Sequence, residues 1–103
     1  MIRVAGFYHF VDLPDPAALR APLARLAADL GLRGSVLIAP EGVNGTLAGP
    51  GPGIDAVLDH LRAWPGCSSL RAQLSSAGTM PFGRLKVRLK REIVTMGRPD
   101  IRP

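Results

Sequence analysis

The sequence predicts an α+β domain of the ferredoxin-like type, with the order βαββαβ, two helices on one face of an antiparallel sheet, and an additional C-terminal strand. Segments with alternating apolar and polar residues, typical of strands, are separated by two segments whose apolar residues recur at helical spacing. Gly and Pro, which supply 12 and 10 of the 103 residues, cluster between these segments. A chain of this length fits one domain.

The first predicted element is a strand in the segment RVAGFYHF, which alternates and contains three aromatic residues. Successive side chains of a strand point to opposite faces. One face of this strand therefore carries Val4, Tyr8 and Phe10, and the other carries Phe7 and His9.

A helix is predicted next, because Asp15 can cap its start and Pro16 suits its first position. Four leucines at helical spacing give it one apolar stripe, namely Leu19, Leu23, Leu26 and Leu30. Gly31 ends it. Pro22 removes a hydrogen bond inside this helix and predicts a kink or a loosely wound turn.

The middle of the chain predicts a pair of strands and a second helix. Residues 35–39 form a short β-branched run, and residues 43–48 alternate and are predicted to pair with them in antiparallel fashion across a turn at 41–42. The Gly-Pro segment 49–53 separates this pair from the helix. The inward face of that helix is predicted to contain Ile54, Val57, Leu58, Leu61 and Trp64.

The last third of the chain predicts two further strands. Residues 70–75 alternate between apolar and polar, residues 76–83 form a loop, and residues 84–90 alternate again. The strand pattern resumes at 93–95 before Gly97 ends it.

The positive charge of the chain is concentrated near its C-terminus. The formal net charge is +5. Residues 1–83 hold six basic and six acidic side chains, whereas residues 84–103 hold seven basic and two acidic ones, so the last segment carries the whole excess. A localised cluster of charge attracts polyanions more strongly than the same charge spread evenly, which favours nucleic acid as a partner.

The basic strand is the sharpest functional signal in the sequence. Its cations project from one side, about 6.6 Å apart, while Leu85, Val87 and Leu89 enter the core. This spacing is close to that of phosphates along a single strand. The predicted nucleic-acid-binding residues are Arg84, Lys86, Arg88, Lys90 and Arg91. Cations on a strand also protect a sheet edge against aggregation, and both interpretations can hold together.

The hairpin segment EGVNGT combines an acid, an amide, two glycines and a hydroxyl. Glycines at such a position let the backbone approach a ligand closely or adopt positive φ. The candidate residues are Glu41, Gly42, Asn44 and Gly45. A tight turn that needs these residue types for its own geometry explains the segment equally well. Its resemblance to the loop of RNA-binding KH domains is weak, because that loop joins two helices.

The sequence contains no arrangement typical of an autonomous enzyme. Cys67 is the only cysteine, which excludes an intrachain disulfide, and the segment around it lacks the glycines of a sulfurtransferase loop. His9 and His60 have no metal-pair spacing and are predicted to be structural. The prolines of segment 49–53 remove the amide donors that a phosphate loop needs. We expect no metal, no cofactor, no membrane contact and a cytoplasmic location.

Two segments resemble the N-terminal domain of the rhodanese-related tRNA uridine hydroxylases, the TrhO/YceA family. They are IAPEGVNGTLAG and FGRLKVRLKREIVTMG, and the aromatic segment FYHF resembles the first strand of the same family. The resemblance spans residues 4–97. It implies a parent about three times this length, which uses oxygen to convert the wobble uridine of certain tRNAs to 5-hydroxyuridine.

The resemblance also implies a division of labour. In that family the reactive cysteine belongs to a rhodanese domain that follows, and Cys67 does not align with it. Residues 1–97 are therefore expected to be a ferredoxin-like RNA-binding domain that positions tRNA, and residues 98–103 to begin the linker to a rhodanese domain absent from this chain. Two alternatives are a docking or oligomerisation domain without direct RNA contact, and a small acylphosphatase-like or small-ligand enzyme.

Overall fold

The computed structural model describes residues 2–90. Their elements follow one another in the predicted order: β1 (Ile2–Phe10), α1 (Pro16–Asp29), β2 (Arg33–Ala39), β3 (Gly42–Gly49), α2 (Gly51–Arg62), β4 (Ala72–Ala77) and β5 (Leu85–Leu89). The additional C-terminal strand is thus confirmed as β5. Its predicted continuation at 93–95, the predicted contact residue Arg91 and the predicted linker at 98–103 lie outside the described residues.

The strands form one sheet with the order β4-β1-β3-β2-β5. β1 is antiparallel to β3 and β4, and β2 is antiparallel to β3. β5 runs parallel to β2, so the sheet is mixed, and the prediction of a purely antiparallel sheet is wrong for this strand. Alternation reveals which face a side chain takes but not the direction of its strand. The chain crosses from one edge of the sheet to the other between β4 and β5, and that crossover sets the direction.

The core lies between the sheet and the two helices. α1 packs against β2 and β5, and α2 packs against β1 and β3. Sheet residues with completely or almost completely buried side chains include Phe7, Val36, Ile38, Val43, Leu47 and Val87. All five inward residues predicted for α2 and the turn after it are buried, as the sequence indicated.

Several predicted core positions, Leu85 among them, are less buried than expected. In α1, which runs unbroken through Pro22, the fully buried residues are Leu23 and Ala27, while Leu19, Leu26 and Leu30 only flank the core. Leu89, predicted to enter the core, is 44% exposed because it ends an edge strand.

The other edge strand also differs from the prediction. β4 begins at Ala72 and ends at Ala77, so it starts and ends two residues later than predicted. Leu70 is buried in the segment before it, whereas Leu74 is 51% exposed at the sheet edge. Neither helix of the described residues 2–90 is long and apolar enough to cross a membrane.

Candidate nucleic-acid interface

The side of the sheet opposite α1 and α2, here called the open face, is covered by no helix or strand of residues 2–90. Strand register places its side chains in rows that run across the sheet, because residues paired between neighbouring strands lie on the same face. The Tyr8 row contains Tyr8, Asn44, Leu37 and Arg88. The Gly6 row contains Gln73, Gly6, Thr46, Ser35 and Lys86.

The predicted basic strand occupies one edge of this open face. Lys86 and Arg88 lie on it beside Ser35 and Leu37 of β2, as the alternation predicted. The ladder continues past both ends of β5: the amide of Gly34 donates to the carbonyl of Arg84 over 3.0 Å, and the amide of Lys90 donates to the carbonyl of Ile38 over 2.7 Å. Arg84, Arg88 and Lys90 are exposed, and Lys86 is half-buried. That these residues bind nucleic acid stays a prediction.

Charge is divided unequally between the two sides of the domain. None of the five strands contains Asp or Glu. The six acidic residues among residues 2–90 lie in the helices and in the loops and turns, namely Asp12, Asp15, Asp29, Glu41, Asp55 and Asp59. Arg33 joins the cations of the open face, since it pairs with Ala48 of β3 in the same register. The open face therefore offers an anion several positive charges and no negative charge from its own strands.

Two aromatic side chains stand out from the open face on β1. Tyr8 is 38% exposed and Phe10 is 57% exposed. Their ring centroids are 4.9 Å apart and their planes meet at 75°, an edge-to-face pair. The sequence placed both residues on one face but did not identify them as functional. The sequence does contain a signal for this exposure. Phe7, on the opposite face of β1, has no polar group and suits the core better than Tyr8, so the face with Tyr8 is left for solvent or a partner.

The hairpin motif divides into structural and accessible parts. A Cβ on Gly42, whose φ is 149°, would lie 2.2 Å from the carbonyl oxygen of His9. A Cβ on Gly45 would lie 2.5 Å from the carbonyl oxygen of Ser35. Both glycines are thus required by close approach of neighbouring strands. Glu41 is exposed in the turn, and Asn44 lies half-buried on the open face between Tyr8 and Leu37.

Cys67 lies in the segment that connects α2 to β4 and is fully buried. Its amide donates to the carbonyl of Trp64, and its carbonyl accepts from the amide of Leu70. Burial raises the pKa of the Cys67 thiol, because the low-dielectric surroundings disfavour the thiolate. A protonated, enclosed thiol is a poor nucleophile.

We expect Cys67 to react with a thiol-specific disulfide reagent at neutral pH only after unfolding. The raised pKa keeps the thiol protonated at that pH, and access requires the core to open. Absorbance of the released reagent anion, followed with and without denaturant, measures both rates. Fast labelling of the native chain, comparable to that of a free cysteine, would contradict the buried placement.

The two histidines have structural contacts. The ring Nε2 of His9 donates to the carbonyl of Gly66 over 2.9 Å and ties β1 to the segment after α2. The His60 ring meets Trp64 edge to face, with centroids 6.0 Å apart. Within residues 2–90, no three His, Cys, Asp or Glu side chains are grouped so that they could hold a metal ion.

The loop between β1 and α1 is poorly suited to bind phosphate. The amide of Val11 donates to the carbonyl of Glu41 over 3.0 Å, and the amide of Leu13 donates to the carbonyl of Pro40 over 2.8 Å. These two donors are therefore occupied by the β2–β3 turn. Asp12 and Asp15 are exposed in the same loop and would repel an anion. This geometry disfavours the small-ligand or acylphosphatase-like alternative.

Comparison with protein families and named proteins gives one consistent result. Residues 2–93 match the model described as UPF0176 acylphosphatase like domain. A protein named tRNA uridine(34) hydroxylase from a Jannaschia species is 56% identical over 103 residues, which are 100% of this chain and 34% of that protein. A protein of the same name from Gluconobacter oxydans is 53% identical over 102 residues, 99% of this chain and 33% of that protein. The chain thus spans about a third of the length of these curated relatives.

Solved structures with low sequence identity share the fold. A BLUF protein, BlrB, in its dark state matches 85% of this chain and 70% of its own, with a TM-score of 0.68 and 22% identity. An acylphosphatase from Coxiella burnetii matches 84% of this chain and 90% of its own, with a TM-score of 0.53 and 15% identity. These likenesses agree with the α+β ferredoxin-like architecture described above.

Proposed function

This chain belongs to the family of UPF0176 acylphosphatase-like domains, and from that premise we propose that it binds and positions tRNA for an oxygen-dependent tRNA uridine hydroxylase. The reaction would form 5-hydroxyuridine at the wobble position. A rhodanese-type domain in cis would supply the reactive cysteine, since Cys67 is buried and its pKa is raised.

One observation carries the proposal. The open face has cations along β5, and its strands contain no acidic residue. It also exposes two aromatic rings, those of Tyr8 and Phe10. Cations bind phosphates whatever the sequence, and aromatic rings stack on unpaired bases. A surface with both features suits RNA better than it suits either a protein or a free anion.

A second candidate is a docking or oligomerisation domain that braces a rhodanese-type domain without direct RNA contact. It is favoured by the exposed apolar side chains at the sheet surface and edges: Tyr8, Phe10, Leu74 and Leu89. Such side chains commonly mark protein contacts. The positive charge of β5 on the same face is not needed for this role.

We expect the chain to bind tRNA weakly and with strong dependence on salt. If about four cations each neutralise one phosphate, the slope of log K against log salt should be near −3, from roughly −0.7 per contact on single-stranded segments. Filter binding over a series of salt concentrations measures this slope. Absence of tRNA binding at low salt, or binding that is independent of salt, would favour the docking role instead.

A further inference from the structure

The open face contains a depression beside the exposed tyrosine. It has a volume of about 530 Å³, and the residues that line it include Gly6, Tyr8, Thr46, Arg71 and Gln73. The depression exists because the Gly6 row lacks a side chain at its β1 position, while its neighbours in the row, Thr46 and Gln73, have theirs. It continues along β1 into a second depression of about 540 Å³ near Val4 and Ser75.

The backbone does not require glycine at position 6. Gly6 is absent from the glycines with positive φ among the described residues. A Cβ at this position would meet only the hydroxyl oxygen of Thr46, at 3.9 Å, which is an ordinary contact. Glycine in a strand interior is destabilising relative to residues with a side chain. Its clear effect on the surface is the space that it leaves beside Tyr8.

The groups around this space match the chemistry of an unpaired nucleobase. The Tyr8 ring supplies a stacking surface, and the Thr46 hydroxyl and Gln73 amide supply both donors and acceptors of hydrogen bonds. Arg71 adds a planar cation at the rim. A phosphate alone would make no use of the aromatic side chain that lines the depression.

The depression and the basic strand lie on the same face but not side by side. Gly6 and Lys86 belong to one row and are separated by three strand spacings, or about 14 Å. A ligand that occupies both places must therefore be a chain of several nucleotides. Its base would enter the depression on β1, and the phosphates of neighbouring nucleotides would meet β5.

We propose that the open face binds single-stranded RNA, with one unpaired base in the depression at Gly6 against Tyr8 and the adjoining backbone phosphates on Lys86 and Arg88. This inference rests on the proposed function and specifies which part of the RNA the domain recognises. It adds the surface at Gly6, Tyr8, Thr46 and Gln73 to the cations that the sequence indicated.

The test is the substitution Gly6→Val, which places a branched side chain in the depression; its Cβ would meet only the hydroxyl oxygen of Thr46, at 3.9 Å. Valine also favours strand structure, so the melting temperature should stay the same or rise. The probe is a labelled single-stranded oligoribonucleotide of about 12 nucleotides, within the range that small single-strand-binding folds cover. Its affinity should fall about tenfold, because the stacking of one base is lost. The salt slope should not change, because the phosphate contacts remain.

Two further variants control this experiment. Gly78→Val makes the same change at an exposed loop glycine with open space around it, and should leave affinity unaltered. Tyr8→Leu keeps an apolar side chain but removes the aromatic ring, and should weaken binding to a similar extent as Gly6→Val. Competition with duplex RNA of the same length should be weaker than competition with the unlabelled single strand.

The outcomes distinguish this inference from the function on which it rests. If tRNA binds to the unaltered chain but Gly6→Val and Tyr8→Leu bind the oligoribonucleotide as tightly as the parent, the inference is wrong and the proposed function stands. If the unaltered chain binds neither tRNA nor the oligoribonucleotide, both are wrong. Sedimentation of the same variants completes the test: a dimer that Gly6→Val disrupts, with unchanged RNA affinity, would assign the depression to a second copy of the chain and overturn the inference.

Discussion

Reversing the charge of Lys86 and Arg88 together is expected to weaken tRNA binding by about 25-fold or more at a salt concentration of about 0.1 M. On single-stranded segments each lost phosphate contact removes about 0.7 from the salt slope, so two lost contacts remove roughly 1.4 decades of affinity at that concentration. Repulsion between the new carboxylates and the phosphates adds to this loss. The slope itself should fall from about −3 to about −1.6.

The matched control is Arg3→Glu combined with Arg25→Glu. Both arginines are exposed, and both lie away from the open face: Arg3 shares the face of Ala5 and Phe7 on β1, and Arg25 is on α1. Each double variant lowers the net charge of +5 by the same four units. Bulk charge therefore changes equally, and only the variant on β5 changes the proposed contact surface.

Filter binding at two salt concentrations compares these variants, after circular dichroism has established that each is folded. Arg20 is unsuitable as a control, because its guanidinium donates to the carbonyl of Val87 over 3.3 Å and so supports β5 itself. Equal losses of affinity in both double variants would mean that the basic strand only protects a sheet edge. The docking role would then be the better explanation.

The fold was predictable from the sequence because local patterns determine most of it. Alternation in β1 and β3, the β-branched run of β2, the apolar stripe of α2 and the Gly-Pro breaks are all properties of single segments. The direction of β5 and its place in the sheet, next to β2, were not predictable in this way. They depend on the crossover after Ala77 and on pairing with Gly34–Ile38, which are far away in sequence.

The candidate interface was predictable only in part, for a related reason. The cations of β5 occur in one segment, so their common face follows from period two alone. The depression at Gly6 depends on residues from three different strands, and its partners Thr46 and Gln73 are identified only by register. The sequence also treated the hairpin motif as one unit, whereas the structure assigns Gly42 and Gly45 to packing and Asn44 to the open face.

Gly45→Ala is expected to lower the melting temperature by about 10 °C or more. The added Cβ would lie 2.5 Å from the carbonyl oxygen of Ser35 and 2.9 Å from the Cα of Val36, both in the backbone of β2. Backbone atoms of a paired central strand cannot move away as the end of a flexible side chain can. Overpacking of this kind typically costs 1–3 kcal/mol, and each kcal/mol shifts the melting temperature of a small domain by about 4–8 °C.

The control variant for this prediction is Asn44→Ala, at the adjacent position. Asn44 lies on the open face, where its side chain is half-buried, so its removal should change the free energy of unfolding by no more than about 0.5 kcal/mol. Thermal melts followed by circular dichroism measure both variants under the same conditions. If Asn44→Ala unfolds the domain as readily as Gly45→Ala, the whole hairpin motif is structural. If Gly45→Ala melts at the same temperature as the parent, β2 and β3 can move apart enough to admit the added Cβ. Packing would then not explain the glycines of the motif, and a role at the open face would be the alternative.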